Sequence, residues 1–284
     1  MAQILKGAEV VKALNEQIVA DSKALKERGV EPTLAVVRVG QRGDDISYEN
    51  GAIKRAQELG VAVRSVVLPD NSTTALLVET LEDLNANPGV HGVLMFRPLP
   101  KHIDEDLVRN TLVPQKDIDG ITDLSLAGVF ANTATGFAPC TAQACMEILR
   151  HYGFELRGRK AVVVGRSLVI GKPVAMLLLA EHATVTLAHS QTVDLPEVVS
   201  EADLVIACVG RAQMINADYL APGQVVIDVG INVSEDGALV GDVATQEAEA
   251  IVEAVTPVPG GVGTVTTSVL FKHVVQAATR LPGA

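Results

Sequence analysis

The 284-residue chain is expected to be an α/β protein with two parallel-sheet domains, the second a Rossmann-type nucleotide-binding domain. Three observations predict this. Short β-branched runs alternate with helical patterns along nearly the whole chain. A turn-rich, weakly periodic stretch at 111–140 separates two such series, as a functional connection does. Residues 160–173, KAVVVGRSLVIGKP, run a buried strand into a glycine-bounded turn and an apolar helix. That is how an α/β domain presents backbone N–H groups to a phosphate.

Residues 8–28 carry Val11, Leu14, Ile18 and Leu25 at helical spacing with charges between them, and Gly29 stops the helix. Residues 33–39 (TLAVVRV) read as a strand closed by Gly40, and 44–59 as a helix ended by Gly60. A strand at 61–68, a turn, a helix to about residue 84 and a strand at 91–96 follow. Arg97-Pro98-Leu99-Pro100 breaks the chain before a short helix at 104–110. After the turn-rich stretch a helix at 141–152 leads into the second series. Its strands are expected at 161–164, 184–188, 203–209, 225–229 and 254–256. Its helices are expected at 172–181, 194–200 and 216–220, with Asp194 and Glu197 matching a capping box. The glycine-rich PVPGGVGTVTTSVL (257–270) opens a last helix to about residue 279.

Hydrophobic residues make up 48% of the chain and Trp is absent, so the cores must be aliphatic, which suits buried parallel strands. The net charge of −11 argues against a nucleic-acid backbone as partner, though local basic residues can still line one anionic pocket. Cys140, Cys145 and Cys208 form no C-x-x-C and no zinc spacing, and are expected to be reduced and buried, with no metal bound. The start, MAQILKGAEVVKAL, has no cleavable apolar segment, and no run approaches a membrane span. A cytoplasmic protein is expected.

In the nucleotide stretch, Gly165 and Gly171 are five residues apart and Ser167 replaces the middle glycine of G-x-G-x-x-G. A plain strand-to-helix turn satisfies the bare pattern equally. The context favours a dinucleotide, with a strand before, a helix after, and Cys208-Val209-Gly210 closing the third strand. The second strand ends TLAHSQT, with His189 and Ser190 and without the carboxylate that an NAD site offers the ribose. Arg166 and a serine hydroxyl suit a 2′-phosphate, so NADP is expected over NAD.

GRSLVIGKPVAMLL, HSQT, VIDVGIN (226–232), GDV (241–243), TPVPGGVG (256–263) and KDIDG (116–120) together resemble the bifunctional methylenetetrahydrofolate dehydrogenase/methenyltetrahydrofolate cyclohydrolase family. The resemblance runs from about Leu5 to the C-terminus. It implies a folate-binding catalytic domain at 1–125 plus 262–284, an NADP-binding domain at 140–258, a cleft between them, and a homodimer. NADP contacts are expected at Gly165, Arg166, Ser167, Gly171, His189, Ser190, Val209, Gly210, Ile231 and Thr266. Folate contacts are expected at Tyr48, Phe96, Arg97, Leu99, Asp119, Pro259, Gly260 and Gly261. Of these, Tyr48 and Asp119 are the expected catalytic residues, with Asp119 holding the pterin amino and ring N–H groups.

Two departures stand out. The family's Tyr-x-x-x-Lys becomes Tyr48 followed by Ala52, so its catalytic lysine is absent. The glutamine that holds that lysine is replaced by Phe96. Lys54 falls roughly 200° around the helix from Ala52 and cannot substitute, and Arg55 lies two turns beyond Tyr48. Arg97 is near the right loop, but a guanidinium is a poor proton shuttle. Smaller departures are Ala142 and Thr264, where the family has proline. Hydride transfer needs alignment more than a protein base, whereas hydrolysis of the methenyl cation is general acid–base work. The expectation is an NADP-linked dehydrogenase with weak or no cyclohydrolase activity. The rival expectations are a fully bifunctional enzyme, a different two-domain dehydrogenase of the shikimate or amino-acid type, and a non-catalytic NADP- or folate-binding sensor.

Overall fold

The computed structural model describes residues 1–234 and 236–280. In chain order these form β1 (Gln3–Ile4), α1 (Gly7–Glu27), β2 (Thr33–Val39), α2 (Gly43–Leu59), β3 (Ala62–Leu68), α3 (Thr74–Ala86), β4 (Gly92–Met95), α4 (Glu105–Thr111), α5 (Asp123–Ala131) and α6 (Cys140–His151). Then come β5 (Lys160–Val164), α7 (Gly171–Ala180), β6 (Thr184–Ala188), α8 (Leu195–Ser200), β7 (Leu204–Ala207), a 3-10 turn at Ala217–Tyr219 and β8 (Val225–Asp228). A β9 (Asn232–Val233)/β10 (Leu239–Val240) hairpin, α9 (Thr245–Ile251), β11 (Ala254–Val255) and α10 (Val262–Arg280) complete the chain.

The chain divides into two units. One holds residues 13–140 and 267–284, the other residues 1–12 and 141–266. The first is built on a three-stranded parallel sheet ordered β3-β2-β4. Its core is aliphatic, with Ala35, Val37, Leu77, Leu81 and Val93 among its fully buried members. Helix α3 starts where the Thr73 hydroxyl accepts from Leu76 N–H at 3.2 Å, and α4 where the Asp104 carboxylate accepts from Leu107 N–H at 3.0 Å. Because β3 and β4 lie on opposite sides of β2, the carboxyl ends of β2 and β4 form a switch point where ligands bind in open α/β sheets.

The second unit carries a six-stranded parallel sheet ordered β6-β5-β7-β8-β11-β1. Val162, Val164, Val205, Val226 and Val255 pack its core. Here the order reverses at β5, so the second switch point lies at the ends of β5 and β7.

The structure departs from the sequence expectations in three places. Residues 3–4 form a strand on the edge of the second unit's sheet, pairing with β11, so the N-terminus joins that unit rather than the segment 1–125. Two ladder pairs carry no readable periodicity. Helix α5 lies inside the stretch expected to be loop. Its sequence, DLSLAGVFA, is apolar on nearly every side and shows no amphipathic period, while the Thr122 hydroxyl caps it from Ser125 N–H at 3.1 Å. The Asp194–Glu197 capping box does not form, because Asp194 has φ +50° and makes no side-chain cap bond.

Candidate active site

At the β2/β4 switch point, α2 and the loop after β4 bring Tyr48 and Phe96 together. Their rings meet edge to face with centroids 5.5 Å apart and planes at 86°. The Thr267 hydroxyl of α10 hydrogen-bonds the Tyr48 hydroxyl, and burial of the phenol pushes its pKa up. Asp44, Ser47, Tyr48, Gly51, Ala52 and Arg55 of α2, with Thr267, line an open recess of about 540 Å³. Ala52 is only 4% exposed on this face, while Lys54 points to solvent. The α-helical periodicity decides both placements.

The KDIDG segment separates into parts. The Lys116 ammonium is buried and donates to the carbonyls of Leu84, Asn85 and Asn87 at 2.6–2.9 Å, closing the end of α3. Asp117, fully buried, accepts from Ile121 N–H, Thr122 N–H and the Ser125 hydroxyl, fixing the start of α5. Gly120 has φ +70°, and a Cβ there would lie 2.5 Å from Pro139 N, so only glycine fits. Ile118 fills the core and its carbonyl accepts from His273 Nδ1–H at 2.8 Å and from the Cys140 thiol. Asp119 alone keeps its carboxylate for another purpose. Burial, then the neighbouring Asp117 charge, raises it from 3.8 to about 6, against a hydrogen bond from the buried Cys140 thiol and the pull of Arg97. Arg97 itself pairs with Glu105 at 3.2 Å. Leu99 turns its side chain into the core, and its backbone N–H reaches Glu105. What Leu99 offers a ligand is therefore position, not surface.

In the second unit the expected nucleotide residues gather at the carboxyl ends of β5, β6 and β7. Gly165 has φ +131°, and a Cβ on it would lie 2.2 Å from Cys208 O; one on Gly171 would lie 2.1 Å from Gly165 O. The turn is thus closed on itself by glycine. The Ser167 hydroxyl accepts from Ile170 and Gly171 N–H at 3.1 and 3.4 Å, shaping the entry to α7. Arg166 and Ser190 are exposed, and no carboxylate stands at residues 189–191. His189 is engaged in its own turn, its Nδ1 accepting from Gln191 N–H.

Sequence reasoning missed the pair of aspartates that supports this end. Asp242, fully buried, accepts from the N–H groups of Val209, Gly210 and Arg211 and from the Asn232 amide at 2.6–3.0 Å. Asp228 accepts from Gly230, Asp242 and Val243 N–H, each at 2.9 Å. The amides of Val209 and Gly210 are therefore committed within the chain, and that loop offers a ligand shape rather than donors. Ile231 projects from the end of β8 at 68% exposure. Thr266 donates to Gly263 O, and Gly260 O accepts from Gly7 N–H. Pro259, Gly260 and Gly261 belong to this second unit.

Two family models match almost the whole chain. Residues 5–119 match the catalytic domain of tetrahydrofolate dehydrogenase/cyclohydrolase, and residues 139–281 its NAD(P)-binding domain. The chain belongs to this family. The bifunctional protein FolD of Clostridioides difficile (strain 630) is 47% identical over 275 residues, 97% of this chain and 96% of that protein. The crystal structure of the Campylobacter jejuni bifunctional FolD superposes with a TM-score of 0.94 at 34% identity, covering 98% of this chain and 99% of the other. The Trypanosoma brucei methylenetetrahydrofolate dehydrogenase-cyclohydrolase, complexed with NADP and an inhibitor, gives 0.88 at 34% identity, covering 98% of each. The chain is thus a dehydrogenase/cyclohydrolase-family enzyme with an NAD(P)-binding second half. No described helix is long and apolar enough to cross a membrane.

Proposed function

We propose that this enzyme oxidises 5,10-methylenetetrahydrofolate to 5,10-methenyltetrahydrofolate with NADP and hydrolyses the product weakly or not at all. The observation that carries the second half is the recess beside Tyr48. Where the family resemblance places a lysine there is a buried alanine, and where it places the glutamine partner there is an aromatic ring packed on Tyr48.

The residues present fit the cofactor. The Gly165/Gly171 turn is a cradle that any Cβ would fill, at the start of a ten-residue helix. Arg166 and Ser190 stand exposed beside it for a 2′-phosphate. Bound there, NADP supplies the hydride acceptor. The chain's own work is binding and alignment. Above pH 6 the Asp119 carboxylate is charged and accepts the paired N–H groups of the pterin. Tyr48 stays a phenol, held by Thr267, and presents its hydroxyl and ring to the one-carbon region.

Hydrolysis asks for a group that takes and returns a proton near neutrality. Of the groups lining the recess, Asp44 is held below the usual carboxylate range by its hydrogen bond from Arg42, Tyr48 is held protonated by burial, Arg55 carries a guanidinium, a poor proton shuttle, and Ser47 and Thr267 are ordinary hydroxyls. Asp119, in this reading, is occupied by the pterin. Full bifunctionality is the second reading, favoured by the word bifunctional in the name of the Clostridioides difficile relative. One assay separates the two. Methylenetetrahydrofolate-dependent NADP reduction is followed at the nicotinamide absorbance, and loss of added methenyltetrahydrofolate at its own. Hydrolysis at rates comparable to formation would sink the first reading. A homodimer in the cytoplasm is proposed with it, and sedimentation of the purified chain checks the assembly.

A further inference from the structure

We propose that Cys140 and His273 are positioning residues for the Asp119 carboxylate. The thiol donates to it, and the imidazole occupies the carbonyl that would otherwise take the thiol proton. This deepens the folate reading above and rests on it. All these groups lie within the first unit, where Cys140 opens α6 and His273 sits on α10.

A thiol carries one proton. Two acceptors stand within reach of Cys140: the Ile118 carbonyl at 3.3 Å, and the Asp119 carboxylate, to which it hydrogen-bonds. His273 biases the choice. Its Nδ1 lies 2.8 Å from the same carbonyl, and a carbonyl only accepts, so Nδ1 carries the ring proton. Held that way, Nδ1 cannot accept from the thiol, 3.8 Å away. Phe137 keeps the imidazole in place, stacked on it at 4.7 Å and 29°, with Arg280 over the Phe137 ring. The Ile118 oxygen is thus already served, and an ionised carboxylate is the stronger acceptor for the thiol. Burial, then the Asp119 charge, pushes Cys140 well above the ordinary thiol range, so it stays protonated and able to donate. The other groups facing Asp119 are committed elsewhere. Asp117 collects the Ile121 and Thr122 N–H groups and the Ser125 hydroxyl, Arg97 pairs with Glu105, and Tyr48 is bound by Thr267. The thiol is therefore the donor that aims the Asp119 oxygens and favours their ionised form.

The test reads Asp119 twice in the full-length enzyme. In the free protein, isotope-labelled at its aspartate carboxyls, the Asp119 magnetic-resonance signal is the one missing from Asp119→Asn, and its titration midpoint is followed against pH. With NADP and methylenetetrahydrofolate, the acid limb of kcat/KM is followed over the same range. Cys140→Ala should move both upward by about half to one pH unit, the size of one weak charge-assisted contact. At pH 6, where the parent carboxyl is half ionised, kcat/KM should fall about two- to fivefold, mostly through KM, and the loss should fade in alkaline buffer. Cys140→Ser, which keeps a donor, should recover most of the shift. His273→Phe, which keeps a ring on Phe137, should reproduce the shift with the thiol still present and add little to Cys140→Ala. If Cys140→Ala does not fold, His273→Phe decides alone. A lower melting temperature with both midpoints unmoved would mark Cys140 as merely structural and overturn the positioning role. A shift in Cys140→Ala that His273→Phe does not share would remove the imidazole from it. A titration midpoint that moves without the kcat/KM limb would keep the thiol contact and sink the folate role of Asp119 instead.

Discussion

Two aspartates, one in each unit, are pushed to a pKa of about 6 by burial, yet they are used differently. Asp228, at the nucleotide end, spends its oxygens on three backbone N–H groups of its own chain. Asp119, at the proposed folate end, has a thiol and a nearby guanidinium but no backbone donor among the described residues. The contrast extends across both sites. The nucleotide end is made of backbone, with glycines in tight approach and carboxylates collecting amides, so its shape is set before any ligand arrives. The proposed folate end is made of side chains carried on α2, on the loop after β4 and on α10. A backbone-built site tolerates almost no change at its glycines. A side-chain-built site can lose one reaction and keep its fold, and Ala52 with Phe96 fits that description.

The largest effects should therefore lie at the nucleotide end. Gly165→Ala forces a Cβ to within 2.2 Å of Cys208 O at a φ of +131°. Overpacking and backbone strain together cost about 2–5 kcal/mol. Asp242→Ala strips the acceptor from three backbone N–H groups at once, for a loss of about 3 kcal/mol or more. Both variants should melt well below the parent and lose NADP binding by fluorescence titration. A Gly165→Ala variant with unchanged melting would show that the turn is not closed in the way described.

The second effect tests whether the folate end lost a reaction without losing its fold. Ala52→Lys with Phe96→Gln should raise methenyl hydrolysis by about 10²-fold, the ordinary yield of a positioned acid–base group. Each change alone should do much less, because a lysine in that recess needs a partner and a glutamine there needs the lysine. The dehydrogenase rate should move little by comparison. Equal gains from Ala52→Lys alone would mean that Phe96 is incidental.

The difference in construction also decides what could be read from the sequence. The Gly165–Gly171 spacing was legible because a local turn demands it. The outward direction of Lys54 followed from helical geometry alone, and the structure agrees. The role of Asp242 was not legible, since its three backbone partners are more than 30 residues away and no short pattern links them. Within KDIDG the motif treats five residues as one, and only the coordinates separate the helix-closing Lys116 and the turn-fixing Asp117 from Asp119. Helix α5 escaped because an all-round apolar segment has no period to detect. Thr267 escaped because its contact depends on where α10 returns to α2.

A smaller effect distinguishes the two aspartates by pH. Burial raises Asp119 from 3.8 to about 6, so the folded chain holds that proton more tightly than the unfolded one. Its protonation supports folding fully below about pH 4 and is lost as pH rises through 6. Asp119→Asn should therefore be more stable than the parent at pH 7.5, by on the order of 2 kcal/mol, and indistinguishable from it near pH 3.5. Folate-dependent activity should fall sharply in the same variant. Thermal melting at the two pH values checks the sign, and a variant less stable at pH 7.5 would place the carboxylate in a structural role like that of Asp228.

The smallest effect concerns Thr267, whose hydroxyl is the polar partner of the Tyr48 phenol. Thr267→Val keeps the shape and removes one hydrogen bond, a change of about 1 kcal/mol, or fivefold. If the bond orients Tyr48 toward substrate, kcat for NADP reduction should fall by about that factor while the melting temperature stays within a degree or two. Tyr48→Phe should lose at least as much, and adding Thr267→Val to it should cost little more, because the bond is already gone. Additive losses in the double variant would show that Thr267 acts on something other than Tyr48. The folate end would then depend on more of its surroundings than the side chains on α2, and its contrast with the backbone-built nucleotide site would narrow.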